Sequence, residues 1–216
     1  MRHEPDELRA LSEDLLYEAQ MLFGTADRLR RHVHEIEPLP VDLLDSCLES
    51  FAIHARLLDQ FFWKDPKPGF PDDAFAADYF PAGEWAKTRT NVQRSKLDGI
   101  SKRTGHEIAH LSYKRIHIAA EAREWEFDVI AGVIGYAFRL FLADVSSDLL
   151  TDGFESQLRQ TWPTYLNFPY VGGFPPDQPA ITVASEAVAR ALPASGVRRT
   201  LAALDVPALA NWRAAL

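Results

Sequence analysis

The chain has 216 residues, 47% of them hydrophobic, with a formal net charge of −8 and a single cysteine. That length suits one large domain, or one domain with an appendage, and the apolar fraction supplies a core without covalent staples. The acid excess argues against a general nucleic-acid binder, and a lone cysteine excludes an intrachain disulfide.

The first residues, Met1-Arg2-His3-Glu4-Pro5-Asp6-Glu7, are acidic and lack an apolar stretch, so they do not read as a signal peptide. The longest near-continuous apolar run, Val129 to Phe138, falls well short of the roughly 20 residues that span a bilayer. With Cys47 expected as a small reduced core residue, these features predict a cytoplasmic protein with no membrane partner.

Apolar residues at Leu8, Leu11, Leu15, Ala19, Leu22, Ala26, Leu29 and Val33 recur at spacings of three and four, which predicts a first amphipathic helix. Pro5, Asp6 and Glu7 suit its first turn, and Pro38 and Pro40 end it. A second helix is expected from Val41 to Lys64, with Leu44, Leu48, Phe51, Ala55, Leu58 and Phe62 on its buried side. Asp65-Pro66-Lys67-Pro68-Gly69 breaks it. The connection from Phe70 to Arg89 carries Phe70, Phe75, Tyr79, Phe80 and Trp85, so it is expected to pack on the helices, with one short turn at Asp72 to Ala77.

A third helix is predicted from Thr90, with Leu97, Ile100, Thr104, Ile108 and Leu111 inward. A fourth, from Arg123 to Leu150, is apolar almost all round and therefore central. The run from Trp162-Pro163 to Pro179 is too rich in proline and glycine for a helix and is expected to be extended. Ile181 to Ala191 and Leu201 to Ala214 read as short helices. The expected architecture is all-α: a four-helix up-down bundle over residues 1–150, followed by a proline- and aromatic-rich C-terminal appendage over 151–216.

Charge is unevenly spread. Between Lys87 and Arg115 eight basic residues face only Asp98 and Glu107, so this window is +6 and the rest of the chain −14. Lys96, Lys102, Lys114 and Arg115 form a candidate phosphate-binding patch. In the same window Arg103, His106, Glu107 and His110 stand at i, i+3, i+4 and i+7, one column of an α-helix beside its apolar side. Such a column can bind an anion, hold a metal or move protons.

Three readings share these residues. His106-Glu107-Ile108-Ala109-His110 matches H-E-x-x-H, in which two histidines hold Zn²⁺ and the glutamate activates a bound water. It resembles the zincin peptidase helix, and Glu121, Glu124 or Glu126 would supply the third ligand. Secondly, Arg103 followed after six residues by His110, within Ile108-Ala109-His110-Leu111-Ser112-Tyr113, resembles the R-x(4–6)-H pattern of the HEPN superfamily of helical bundles, known in prokaryotic toxins and phage-defence proteins. The order of helices from about Leu8 to Leu150 is similar to that family as well. The resemblance implies metal-independent RNA cleavage, without a cofactor, in a homodimer whose two motifs face each other. His110 would be the acid or base, with Arg103 on the phosphate and Tyr113 in support. An antitoxin or another partner protein is implied too. Active members usually carry Asn, Asp or His after the arginine, where this chain has Thr104. Thirdly, Arg103 and Glu107 form an ordinary i,i+4 ion pair on a helix of a non-catalytic interaction module.

His54, on the second helix, is a candidate second histidine near His110, or else a hydrogen-bonded core group. Glu107-x-x-His110 also fits half of a di-iron site, but the fourth helix carries no second E-x-x-H.

Overall fold

The computed structural model describes residues 3–66, 72–92, 94–109 and 125–166, without the side chains of Lys96 and Ala109. The chain is all-α, and every regular element among the described residues is helical.

Helix α1 spans Pro5–Val33. Its first turn closes a capping box, in which the Glu7 carboxylate accepts from the Glu4 backbone N–H at 3.2 Å. The helix ends before either proline is reached. Glu35 takes a left-handed conformation, and the Arg31 carbonyl accepts from the backbone N–H groups of Ile36 and Glu37. Helix α2, Val41–Trp63, returns alongside α1 and makes its most extensive contact there. Both helices bury most of the stripes that their spacing predicts, with Leu11, Leu44 and Leu48 only partly buried, and Cys47 is buried with them.

The aromatic connection packs inward. Phe75, Tyr79, Phe80 and Trp85 are all buried around a helical turn at Ala76–Tyr79 and the short helix α3, Glu84–Thr88. The turn lies a few residues beyond the one expected at Asp72. Each polar tip finds a backbone carbonyl: Tyr79 Oη donates to Leu8 O at 2.9 Å and Trp85 Nε1 to Phe62 O at 2.7 Å. These bonds remove the desolvation cost of burying the hydroxyl and the indole N–H. Phe62, Phe138 and Phe141 complete the aromatic core, with Phe62 and Phe138 edge-to-face at 4.8 Å.

The predicted third helix is broken. Single helical turns at Arg89–Asn91 and Arg94–Leu97 precede a stop at Gly99, whose φ of 83° is left-handed. A new helix then starts, α4, Ile100–Arg103, and widens to π geometry over Thr104–Ala109. Helix α5, Phe127–Asp144, is buried on nearly all sides as its composition predicts, and it packs on both α1 and α2. It stops short of Leu150: Val145 turns extended, and a separate turn forms at Ser147–Leu149. Among the described residues no helix is long and apolar enough to cross a membrane.

The same core continues past residue 150. Helix α6, Phe154–Thr161, and helix α7, Pro163–Leu166, pack on α1 and α5 and contribute Phe154, Leu158, Tyr165 and Leu166. Trp162-Pro163 therefore begins a helical turn rather than an extended run. A proline in the first turn lacks only an N–H that has no helical partner anyway. The short helices expected at 181–191 and 201–214, and the rest of the extended run, lie outside the described residues.

Candidate functional site

The motif segment is held against α2 by three ties. Arg89 donates to Trp63 O at 3.0 Å and to both oxygens of Asp65. Arg94 grips Asp59 through Nε and Nη2, each at 3.0 Å. Thr104, fully buried, donates its hydroxyl to Ala52 O at 3.2 Å. Thr104 therefore faces inward, as its spacing predicts, with its polar atom satisfied.

These ties redistribute the basic window. Asp59, Asp65 and Glu84, all from outside it, pair with Arg94, Arg89 and Lys87, which halves the excess of six charges. Of the candidate phosphate patch, Lys102 is exposed. The Lys96 side chain, Lys114 and Arg115 lie outside the described residues, as do His110, Tyr113, Glu121 and Glu124.

Arg103 and Glu107 form the centre of the site. Arg103 Nε meets Glu107 Oε1 at 2.8 Å and Nη2 meets Oε2 at 3.1 Å, a two-pronged pair. The guanidinium carbon also lies 4.2 Å from the centroid of the buried Trp125 ring. Arg103 is 29% exposed and Glu107 14%, so the pair is worth more than an open surface pair, and the ring adds about 0.5–2 kcal/mol. The pair uses the Nε–Nη2 edge of the guanidinium and leaves Nη1 outside it. Trp125, which begins α5's approach and packs edge-on against Phe51, carries no local sequence signal for this role.

The π geometry alters what the motif spacing means. Bonds of the i→i+5 type make a wider turn than the α-helix over Thr104–Ala109, and His110, the second histidine of the H-E-x-x-H reading, lies outside the described residues. Glu107, one turn on from Arg103 at the end of α4, reaches it as an i,i+4 pair. His106 is partly buried and has an interaction partner. Glu126 is exposed at the start of α5. Among the described residues no group of three His, Cys, Asp or Glu is placed to hold a metal ion.

His54 is held between α2 and α1, and its relation to His110 falls outside the described residues. Its Nδ1 is 2.6 Å from Glu18 Oε2 on α1, and its ring meets Tyr17 edge-on. The Glu18 partner is 36 positions away, beyond any local pattern.

A second polar group sits where α1, α5 and α7 meet. Asp128 faces Arg30 and His34 of α1 and lies near Asp27, and the Tyr165 hydroxyl approaches its carboxylate at 3.5 Å. Burial pushes the Asp128 carboxyl up to about 6, with Arg30 opposing the shift. Below about pH 4 the residue is neutral in both folded and unfolded chains. Between about 4 and 6 the unfolded chain ionises first, so stability falls as pH rises, by about 3 kcal/mol in all. Asp128→Asn is therefore expected to match the parent near pH 4 and to exceed it by about 2–3 kcal/mol above pH 7. Urea titrations of both proteins at pH 4, 6 and 8 test this, and parallel stability profiles would contradict it.

Comparison with family models, curated proteins and solved structures finds no match to this chain.

Proposed function

We propose that the chain is an RNA-directed helical protein of HEPN-like character, in which Arg103 contacts RNA phosphate. The observation that supports this is the setting of Arg103. Glu107 and Trp125 fix its direction while the guanidinium stays 29% exposed. A preorganised cation of this kind stabilises developing phosphate charge without reorganising. Exposed Lys102 adjoins it, and Lys96, Lys114 and Arg115 of the same basic window would add to the attraction for phosphate.

On this reading α1, α2, the motif segment and α5 are the four members of an up-down bundle. His110 acts as general acid or base at the ribose 2′-hydroxyl, with Tyr113 in support, and no metal is needed. The working form is a homodimer, acting in a toxin–antitoxin or defence setting with an antitoxin or similar protein as partner.

Cleavage of a labelled single-stranded RNA in EDTA tests it. Arg103→Lys, which keeps the charge but loses the fork, is expected to lower the rate about 10²-fold, and His110→Ala by 10²–10⁴-fold. Circular dichroism checks that both variants fold. Glu107→Gln, which keeps one acceptor for Arg103, is expected to retain most of the activity.

Zinc hydrolysis is the alternative, and Glu107 separates the two. As placed, both its carboxylate oxygens are engaged by Arg103, which does not suit a water-activating base. Stoichiometric zinc lost on His106→Ala, with hydrolysis lost on Glu107→Gln, would overturn the RNA reading. An interaction module is the reading left if folded protein neither cleaves nor binds RNA and carries no zinc. The Arg103–Glu107 pair, complete within one chain, favours that outcome over the zinc one.

A further inference from the structure

We infer that residues 197–216 of this same chain dock on the turn between α1 and α2. Of the nine residues from Ile36 to Leu44, seven are apolar or proline, and only Glu37 and Asp42 are charged. Ile36 is 64% exposed and Leu43 49%, Pro38 and Pro40 are exposed as well, and Leu39 and Val41 are half-buried. A single exposed apolar side chain is ordinary, but a run of them along one turn is a contact surface. The turn is also held in one shape. Glu35 is left-handed, the Leu39 N–H donates to His32 Nδ1 at 2.9 Å, and Arg31 Nε donates to Glu37 Oε2 at 3.0 Å. A surface fixed in advance loses little entropy on being covered.

Position and charge name the occupant. The described chain leaves α7 at Leu166. The Tyr165 hydroxyl lies 3.5 Å from the Asp128 carboxylate, and Asp128 faces His34, which caps α1 immediately before the turn. The exit is therefore at the same end of α1 as the apolar surface. Even as a random coil, a linker the length of residues 167–196 spans about 30 Å, and tethering gives an effective concentration on the order of millimolar.

The turn is acidic. Among the described residues Glu35, Asp42 and Asp45 take part in no ion pair, while Arg30 and Arg31 beside them are already paired with Asp27 and Glu37. Residues 197–216 have the complementary make-up: Arg198, Arg199 and Arg213 outweigh Asp205, alongside four leucines and Trp212. Residues 167–196 carry Asp177 and Glu186 against Arg190, so they do not answer the acids. Exposed ion pairs add little affinity, but they decide which apolar segment settles on the surface. The inference stands apart from RNA cleavage, because it is read from cross-links alone.

Photo-cross-linking of the full chain is the test, with circular dichroism confirming the fold of each variant. Benzoylphenylalanine in place of Ile36 is expected to capture residues 197–216 within a single chain, read by mass spectrometry of the digested monomer. The same probe in place of Asp148, exposed near Arg9 at the other end of α1, is expected to capture little of that segment. Arg198→Glu, Arg199→Glu and Arg213→Glu together are expected to lower capture at position 36 about fivefold, and adding Glu35→Arg and Asp42→Arg to restore most of it. Equal capture from both positions overturns the proposal. So do cross-links from position 36 confined to residues 110–124 or to a second chain, or a capture that charge reversal leaves unchanged.

Discussion

Gly135→Ala is expected to destabilise the protein by about 3 kcal/mol, although alanine is the better helix former. Gly135 lies in the middle of α5, where α7 crosses it. A methyl group there would sit 2.4 Å from the Tyr165 carbonyl oxygen and 2.7 Å from its carbon. Both are backbone atoms, so relief requires α7 to move. Moving it disturbs the stack of Tyr165 on Phe23, at 5.1 Å, and the seating of the buried Leu166. Each of those side chains is worth about 1.5–3 kcal/mol when fully buried. The helix-propensity gain of about 1 kcal/mol offsets only part of this. Gly24→Ala is the internal control. A methyl group at that position meets only the Trp162 ring, at 3.5 Å, an ordinary contact. It is expected to be neutral or to stabilise by up to about 1 kcal/mol. Urea denaturation of the two variants side by side tests the pair, and an equal effect in both would refute the crossing geometry.

Arg94→Ala is expected to cost about 2–3 kcal/mol and to loosen the motif segment. Asp59 is only 3% exposed, whereas Arg94 is 42% exposed. Burial pushes the Asp59 carboxyl up, and the Arg94 guanidinium opposes this with charge and hydrogen bonds. Removing the arginine leaves a buried carboxylate without its fork. That typically costs 3–5 kcal/mol in a fully buried pair and less here, because one partner is partly solvated. Replacing both residues, Asp59→Leu with Arg94→Met, is expected to recover most of the loss, since no buried charge remains. Hydrogen exchange supplies the local readout. Amides of residues 94–109 are expected to lose protection in Arg94→Ala before those of α1 do. Uniform loss of protection across the chain would show that the tie does not act locally.

Both effects concern contacts between residues far apart in the chain, and this marks the boundary of what local patterns reveal. Helices α1, α2 and α5 were legible from apolar spacing, because a long amphipathic stripe reports its own periodicity. The inward packing of the aromatic connection was legible too, because that many rings are not left in water. The third helix was misread. Leu97, Ile100, Thr104 and Ile108 keep helical spacing across Gly99, so the stripe hides the left-handed break. Pro163 was misread because its effect depends on whether it falls inside a helix or at its first turn.

At the candidate site, spacing offered the Arg103–Glu107 i,i+4 pair as one of three readings of the motif, and that pair forms; His110, on which the other two rest, lies outside the described residues. Periodicity was sufficient for the all-α class and for the inward face of Thr104. Folding alone supplied Trp125 beneath the guanidinium, Glu18 beside His54, and Asp59 and Asp65 on a window that reads as strongly basic in sequence. The physical reason is the same in each case. Periodicity reports which side of a helix avoids water, whereas charge pairing and ring contacts depend on which helices meet and at what height. That is settled by the packing of the whole core.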